Sequence, residues 1–89
     1  MLPPAEKRAL KARAHALKPV VIIGQHGLTP AVLAAVGEAL DIHELIKVRL
    51  PQNERPVQKA LIEEIAGKLE AETIGFIGRV LILYRKRPE

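Results

Sequence analysis

The stretch "VVIIGQHGLTPAVL", residues 20–33, decides how this 89-residue chain folds. Val20 to Ile23 are all β-branched and run directly into Gly24. A short continuous apolar run closed by a glycine has the length of a strand. Apolar on both faces, it is expected at the centre of a sheet. Five residues later Thr29 offers an N-cap and Pro30 a first-turn residue, so a helix is predicted over 30–41, with Leu33, Val36 and Leu40 as its core stripe. Gly37 falls inside that helix, where glycine costs stability, and implies close packing. Gly24-Gln25-His26-Gly27 therefore joins a strand's C-terminal end to a helix's N-terminal end.

Working outward, residues 4–17 read as a helix with Pro4 in its first turn; Leu10, Ala14 and Leu17 form a narrow apolar stripe and Pro19 is the expected stop. With the helix extended to residue 18, Lys7, Arg8, Lys11, His15 and Lys18 fall on one flank, within an arc of about 100°. On the other side, "HELIKVRL" (43–50) alternates: Ile46, Val48 and Leu50 point one way, Leu45, Lys47 and Arg49 the other, predicting a strand with one buried and one basic face. Residues 51–55 form a turn in which Asn53 can cap a helix over 54–69, with Val57, Leu61, Ile65 and Leu69 inward and Glu63, Glu64 and Glu70 on its outer surface. Strands over 72–77 and 80–85 meet at Gly78-Arg79, where a leading glycine suits a type II′ hairpin. The result is a single α/β domain over 1–89, in the order α-β-α-β-α-β-β: a four-stranded mixed sheet with three helices. Strand–helix–strand units joining parallel neighbours should cross over right-handed.

Composition limits the chemistry. Without cysteine, the chain has no disulfide, iron–sulfur or thiolate zinc site, and a cytoplasmic location is expected. No stretch has the pattern of a signal peptide or the length of a membrane span, so a soluble protein without membrane partners is expected. The net charge of +4 is unevenly spread: residues 1–18 carry five basic side chains against Glu6, residues 79–89 carry Arg79, Arg85, Lys86 and Arg87 against Glu89, and the middle is acidic. Basic ends on an acidic middle suit a polyanionic partner, and equally suit loose charge for solubility.

A loop between strand and helix gathers anions, because backbone N–H groups point outward and the helix dipole favours negative charge. The third glycine of a dinucleotide-binding loop is missing, and Gly27 is followed by Leu28, not by the lysine of a Walker loop. His26 has no obvious serine, cysteine or aspartate partner, the chain containing no serine at all, and His15, His26 and His43 lack metal-ligand spacing. No catalytic or metal site and no cofactor are expected. His15 and His43 read as hydrogen-bonded structural residues, His26 as a loop tip or RNA contact. What remains is gripping of an RNA backbone, as by the GxxG loop of KH domains, or simply a tight turn. With Phe76 and Tyr84 the only aromatic residues, there is no platform for stacking successive bases, so contacts to phosphate and 2′-hydroxyl of structured RNA are favoured. Tyr84 alternates with Val80 and Ile82 and reads as a core residue.

"LKARAHALKPVVIIGQHGLT" (10–29), "HELIKVR" (43–49) and "IGRVLILYR" (77–85) together resemble the YhbY-type CRM domain, the chloroplast RNA-splicing and ribosome-maturation domain, in its order and spacing. At one bare domain, the chain is similar to the free-standing bacterial form. The resemblance implies a fold similar to the C-terminal domain of translation initiation factor three. It implies binding to ribosomal RNA in precursors of the large ribosomal subunit, as an assembly factor without enzymatic activity. It assigns the GxxG loop to Gly24, Gln25, His26 and Gly27, beside the cap Thr29, and the basic helix to Lys7, Arg8, Lys11 and Lys18. Lys47, Arg49, Arg85 and Lys86 complete the expected basic surface. A monomer is expected, and ending at Glu89 the chain would lack contacts made by a longer tail. Two rival readings are a translation factor acting on assembled ribosomes and a protein-interaction adaptor working through the acidic third helix.

Overall fold

In the computed structural model, which describes residues 2–87, the chain runs α1 (Pro4–Ala14), β1 (Pro19–Ile22), α2 (Pro30–His43), β2 (Leu45–Arg49), α3 (Arg55–Leu69), β3 (Glu72–Ile77) and β4 (Val80–Tyr84). The predicted order and α/β class are those of the structure. The reading of the tail at Glu89 lies outside the described residues. The sheet order is β1-β2-β4-β3, with β1 parallel to β2 and β4 antiparallel to both of its neighbours. β1, β2 and β3 consequently point the same way, and their C-terminal ends share one edge of the molecule.

Helices α2 and α3 cover one face. Val36 and Leu40 of α2 and Ile65 of α3 pack on Ile23, Ile46, Val48, Leu50, Leu81 and Leu83. Each such buried aliphatic side chain contributes about 1.5–3 kcal/mol. α1 lies on the opposite face, where Leu10 and Ala14 meet Leu45, Ile74 and Ile82, with Tyr84 packed at the margin. α1 is short and covers only one end of that face. The predicted basic face of β2 thus begins with a buried Leu45 under α1 and carries its charge at Lys47 and Arg49.

Several local readings are corrected. β1 is an edge strand, not a central one: Val20 and Ile22 face solvent (50% and 67% exposed) on the side α1 leaves open. An apolar strand looks central by composition, but among the described residues no segment pairs with its outer side. α1 ends at Ala14, well before Pro19; the chain turns through the Leu17 N–H to Ala14 carbonyl bond, and the Lys47 ammonium donates to the Leu17 carbonyl (3.1 Å). Leu17 is therefore half exposed and Lys18 leaves the flank of the helix. Glu54 stands at the N-cap of α3, while Asn53 donates to the Gln58 side chain. The inward stripe of α3 accordingly starts at the buried Gln58, with Val57 exposed. Finally, Gly78 and Arg79 both have positive φ (55° and 67°), which makes the hairpin type I′, the turn whose twist matches its strands.

Other readings hold. The Val32 N–H donates to the Thr29 hydroxyl at 3.2 Å, the predicted N-cap. A Cβ on Gly37 would meet Leu69 at 3.5 Å, ordinary contact, so α2 and α3 do approach here.

Candidate functional site

The loop after β1 is an exposed, hydrogen-bonded turn. The Gly27 N–H closes on the Gly24 carbonyl (3.0 Å), leaving Gln25 and His26 exposed at its tip. The glycines differ. Gly27 has φ +74°, a conformation that L-residues adopt only with strain. Gly24 lies outside that region, and a Cβ there would meet nothing within 4 Å. The backbone thus favours glycine at 27 but makes no such demand at 24; a bare Cα at position 24 leaves room for something outside the chain. The loop is fixed at its base, where the Ile23 N–H donates to the Arg49 carbonyl (2.8 Å), and at its exit by the Thr29 cap.

Beside it lies the half of the sheet that α1 does not cover. The pairings Ile22–Arg49, Arg49–Val80 and Val80–Ile77 line up one row across all four strands, and Pro19–Lys47, Lys47–Ile82 and Ile82–Gly75 the next. Arg49 thereby stands between exposed aliphatic side chains, with Ile77 58% accessible. Lys11 and His15 of α1 overhang this surface and enclose with Lys47 and Arg49 a cleft of about 240 Å³ floored by Ile77, Val80 and Ile82. The Lys11 side chain lies over Gly75, its Cε 3.4 Å from where a Cβ would be. A two-residue excursion keeps it there: Ile74 and Gly75 both turn to the α1 face at the bulge between Thr73 and Gly75. Lys7 and Arg8 continue the cation row along α1 beyond Lys11.

The structure brings Lys7, Arg8, Lys11, Lys47 and Arg49 onto one face. It does not bring the others there. Lys18 sits with Arg13 in a separate hollow by Val20. Arg85 is committed internally: its guanidinium donates to the Leu69 carbonyl (2.7 Å), the Gly37 carbonyl (3.1 Å) and the Asp41 carboxylate (2.8 Å), tying β4 to both helices of the opposite face. Lys86 lies beside Asp41, Glu70 and Glu72. A basic residue at a chain end looks like surface charge in sequence, and only the fold shows that Arg85 spans α2 and α3. His15 and His43 are exposed and not packed structural residues. Not singled out as site residues in the sequence were the exposed Ile22 and Ile77 and the turn residue Arg79. For the isoleucines no signal distinguishes an exposed from a buried apolar position until the short α1 is placed. Among the described residues no cluster of His, Asp or Glu is arranged to hold a metal, and no helix is long and apolar enough to cross a membrane.

Residues 2–85 match the CRS1/YhbY (CRM) domain. The chain belongs to the CRM-domain family. This CRM domain is 40% identical over 84 residues to a probable RNA-binding protein of Pseudomonas aeruginosa, covering 94% of this chain and 81% of that one. It is 42% identical over 84 residues to an RNA-binding protein of Haemophilus influenzae, covering 94% and 85%. Among solved structures it is similar to that of a candidate RNA-binding protein of Staphylococcus aureus, with a TM-score of 0.86 and 31% identity, covering 100% of this chain and 93% of the other. The CRM core fills this chain from α1 to the end of β4, so the α1 cations, the glycine loop and the uncovered sheet all fall inside the matched region.

Proposed function

We propose that this CRM domain binds structured RNA, specifically ribosomal RNA in precursors of the large ribosomal subunit, and acts as a monomeric, cytoplasmic assembly factor without catalytic activity. The observation that carries the reading is the convergence of α1 cations with Lys47 and Arg49 on a half-uncovered sheet, beside a glycine loop whose Gly24 faces open space. Phosphates are held by Lys7, Arg8, Lys11, Lys47 and Arg49 through charge and hydrogen bonding. The loop Gly24-Gln25-His26-Gly27 grips the sugar–phosphate backbone at the start of α2, where the helix dipole and free N–H groups favour an anion. Ile22, Ile77 and Val80 supply apolar contact to ribose faces. The acidic Glu38 and Glu64 lie exposed on α2 and α3, across the sheet from this surface, so they orient the domain on a polyanion. The RNA-binding character also agrees with the names borne by the relatives in Pseudomonas and Haemophilus.

The test has two arms. Deproteinised large-subunit ribosomal RNA should bind the domain directly; failure to bind, with capture of ribosomal proteins instead, would favour an adaptor. In sedimentation of cell extracts the protein should travel with precursors of the large subunit. Co-migration with mature ribosomes alone would favour a translation factor.

A further inference from the structure

A second groove opens at the same end of the sheet, on the opposite side of the hairpin. Its volume is about 700 Å³, within the range of small-molecule sites. Phe76 forms its apolar wall with Ile62, the ring of Phe76 being 37% exposed although it is the chain's only phenylalanine. The bulge in β3 accounts for this placement: with Ile74 and Gly75 both turned to the α1 face, Thr73 and Phe76 remain on the α3 face at the sheet's outer edge, pairing with Leu83 and Leu81.

The rim is cationic. Arg55 and Lys59 of α3 and Arg79 of the hairpin stand around it against Glu63 alone. The walls are held by a belt of three hydrogen bonds. The Leu50 N–H donates to the Arg79 carbonyl (2.8 Å), the Gln58 amide donates to the Pro51 carbonyl (3.0 Å), and the Asn53 amide donates to Gln58 (3.3 Å). Gln58 is 7% exposed and is the buried polar side chain among the described residues. A buried glutamine satisfied by its own loop fixes the groove's shape before any ligand arrives. The groove also lies close to the glycine loop. Ile23 is bonded to Arg49 and Leu50 to Arg79, so loop and hairpin are separated by β2, about two strand spacings or roughly 10 Å.

We propose that this groove takes one unstacked base of the bound RNA, its face against the Phe76 ring and its flanking phosphates on Arg79, Arg55 and Lys59. The inference rests on the RNA-binding reading above and adds to it a single stacking site. Charge favours a nucleotide over a peptide, with three cations and one carboxylate around an aromatic wall. One aromatic ring suits one base, in a bulge or loop of an otherwise structured RNA.

The test titrates the full chain and three variants with deproteinised large-subunit ribosomal RNA. Phe76→Leu keeps an apolar wall but removes the ring; it should weaken binding about five- to a hundredfold, the range of one base–aromatic stack, while leaving the salt dependence unchanged. Phe76→Tyr should bind like the parent. Arg79→Asn, which accepts positive φ and therefore keeps the turn, should weaken binding and reduce the salt slope by about one. The proposal is overturned if Phe76→Leu and Arg79→Asn bind like a parent that itself binds RNA, and in that case the RNA-binding reading stands. It is also overturned if Phe76→Tyr loses as much as Phe76→Leu, which would mean packing alone. Unchanged RNA affinity of Phe76→Leu with loss of a protein partner would overturn it in favour of a peptide groove. A parent that fails to bind RNA at all removes both readings, and that result is distinct because no variant is needed to see it.

Discussion

Gly24 and Gly27 look alike in sequence and have different duties. Gly27 is favoured by a backbone at φ +74°, whereas Gly24 is free of steric and conformational demand. Gly24→Ala should leave the melting temperature unchanged and lower RNA affinity, because its methyl projects only toward a ligand. Gly27→Ala should cost about 1–2 kcal/mol of stability, measurable by denaturant titration. A Gly24→Ala protein that binds like the parent would show that the loop is a turn and nothing more. The double variant Gln25→Asp, His26→Asp keeps both glycines and places carboxylates at the tip. Like charge beside a bound phosphate should lower affinity by about two orders of magnitude, with the fold intact, since carboxylates suit a helix N-terminus. Glu38→Gln, exposed on α2 away from the loop and from the basic face, should in contrast not weaken binding. Gly67, in the last turns of α3, has nothing within 4 Å of where a Cβ would stand; Gly67→Ala should stabilise by about 0.5–1 kcal/mol in a thermal melt.

At the scale of elements, the segment after β4 is bound back to the corner between α2 and β2. The Arg85 N–H donates to the Glu44 carbonyl (3.0 Å), and the Arg87 N–H donates to the Glu44 carboxylate (2.8 Å) with its guanidinium alongside at 3.5 Å. The hydrogen bond from the Arg87 backbone, with the charge of its guanidinium, holds the Glu44 carboxyl below its ordinary range. A depressed carboxylate pKa stabilises the fold fully above the unfolded value, about 4.3, and that contribution disappears as pH falls through the folded value. Glu44→Gln should therefore melt lower than the parent at pH 7, and the gap should close toward pH 3. A gap independent of pH would mean that the Glu44 charge is not what holds the segment. Arg85 ties more elements together than any other charged side chain in the described hydrogen bonds, joining β4 to α2 and α3. Its removal should cost about 2–3 kcal/mol, the scale of a charged hydrogen-bond network with a partly buried donor. RNA affinity of folded Arg85→Ala should be unchanged, in contrast to Lys47→Ala or Arg49→Ala. A loss of affinity without a loss of stability would return Arg85 to the binding surface.

Over the whole molecule, the domain is two-sided: a short basic helix and a half-open sheet on one face, two longer helices carrying acidic side chains on the other. Binding through about four to six phosphates should make log K fall with log salt at a slope near −3 to −5. A slope near zero would reduce the α1 cations to a solvated flank. Because α1 covers only one end of its face, the uncovered rows gather Lys47, Arg49, Ile22 and Ile77 from three strands that lie up to 55 positions apart in the chain (Ile22 to Ile77).

Periodicity and punctuation in the sequence were enough to set the seven elements and their order, the α/β class, the Thr29 cap and the position of the glycine loop. These depend on neighbours within a few residues, where side-chain spacing, caps and glycine act directly. Tertiary structure alone decided that β1 is an edge strand, that α1 stops at Ala14, that Arg85 is an internal tie, and that Phe76 lines a groove. Each depends on which distant segment covers which face. An exposed isoleucine and a buried one have the same side chain, and an arginine at a chain end becomes structural only when two helix carbonyls and an aspartate arrive around it.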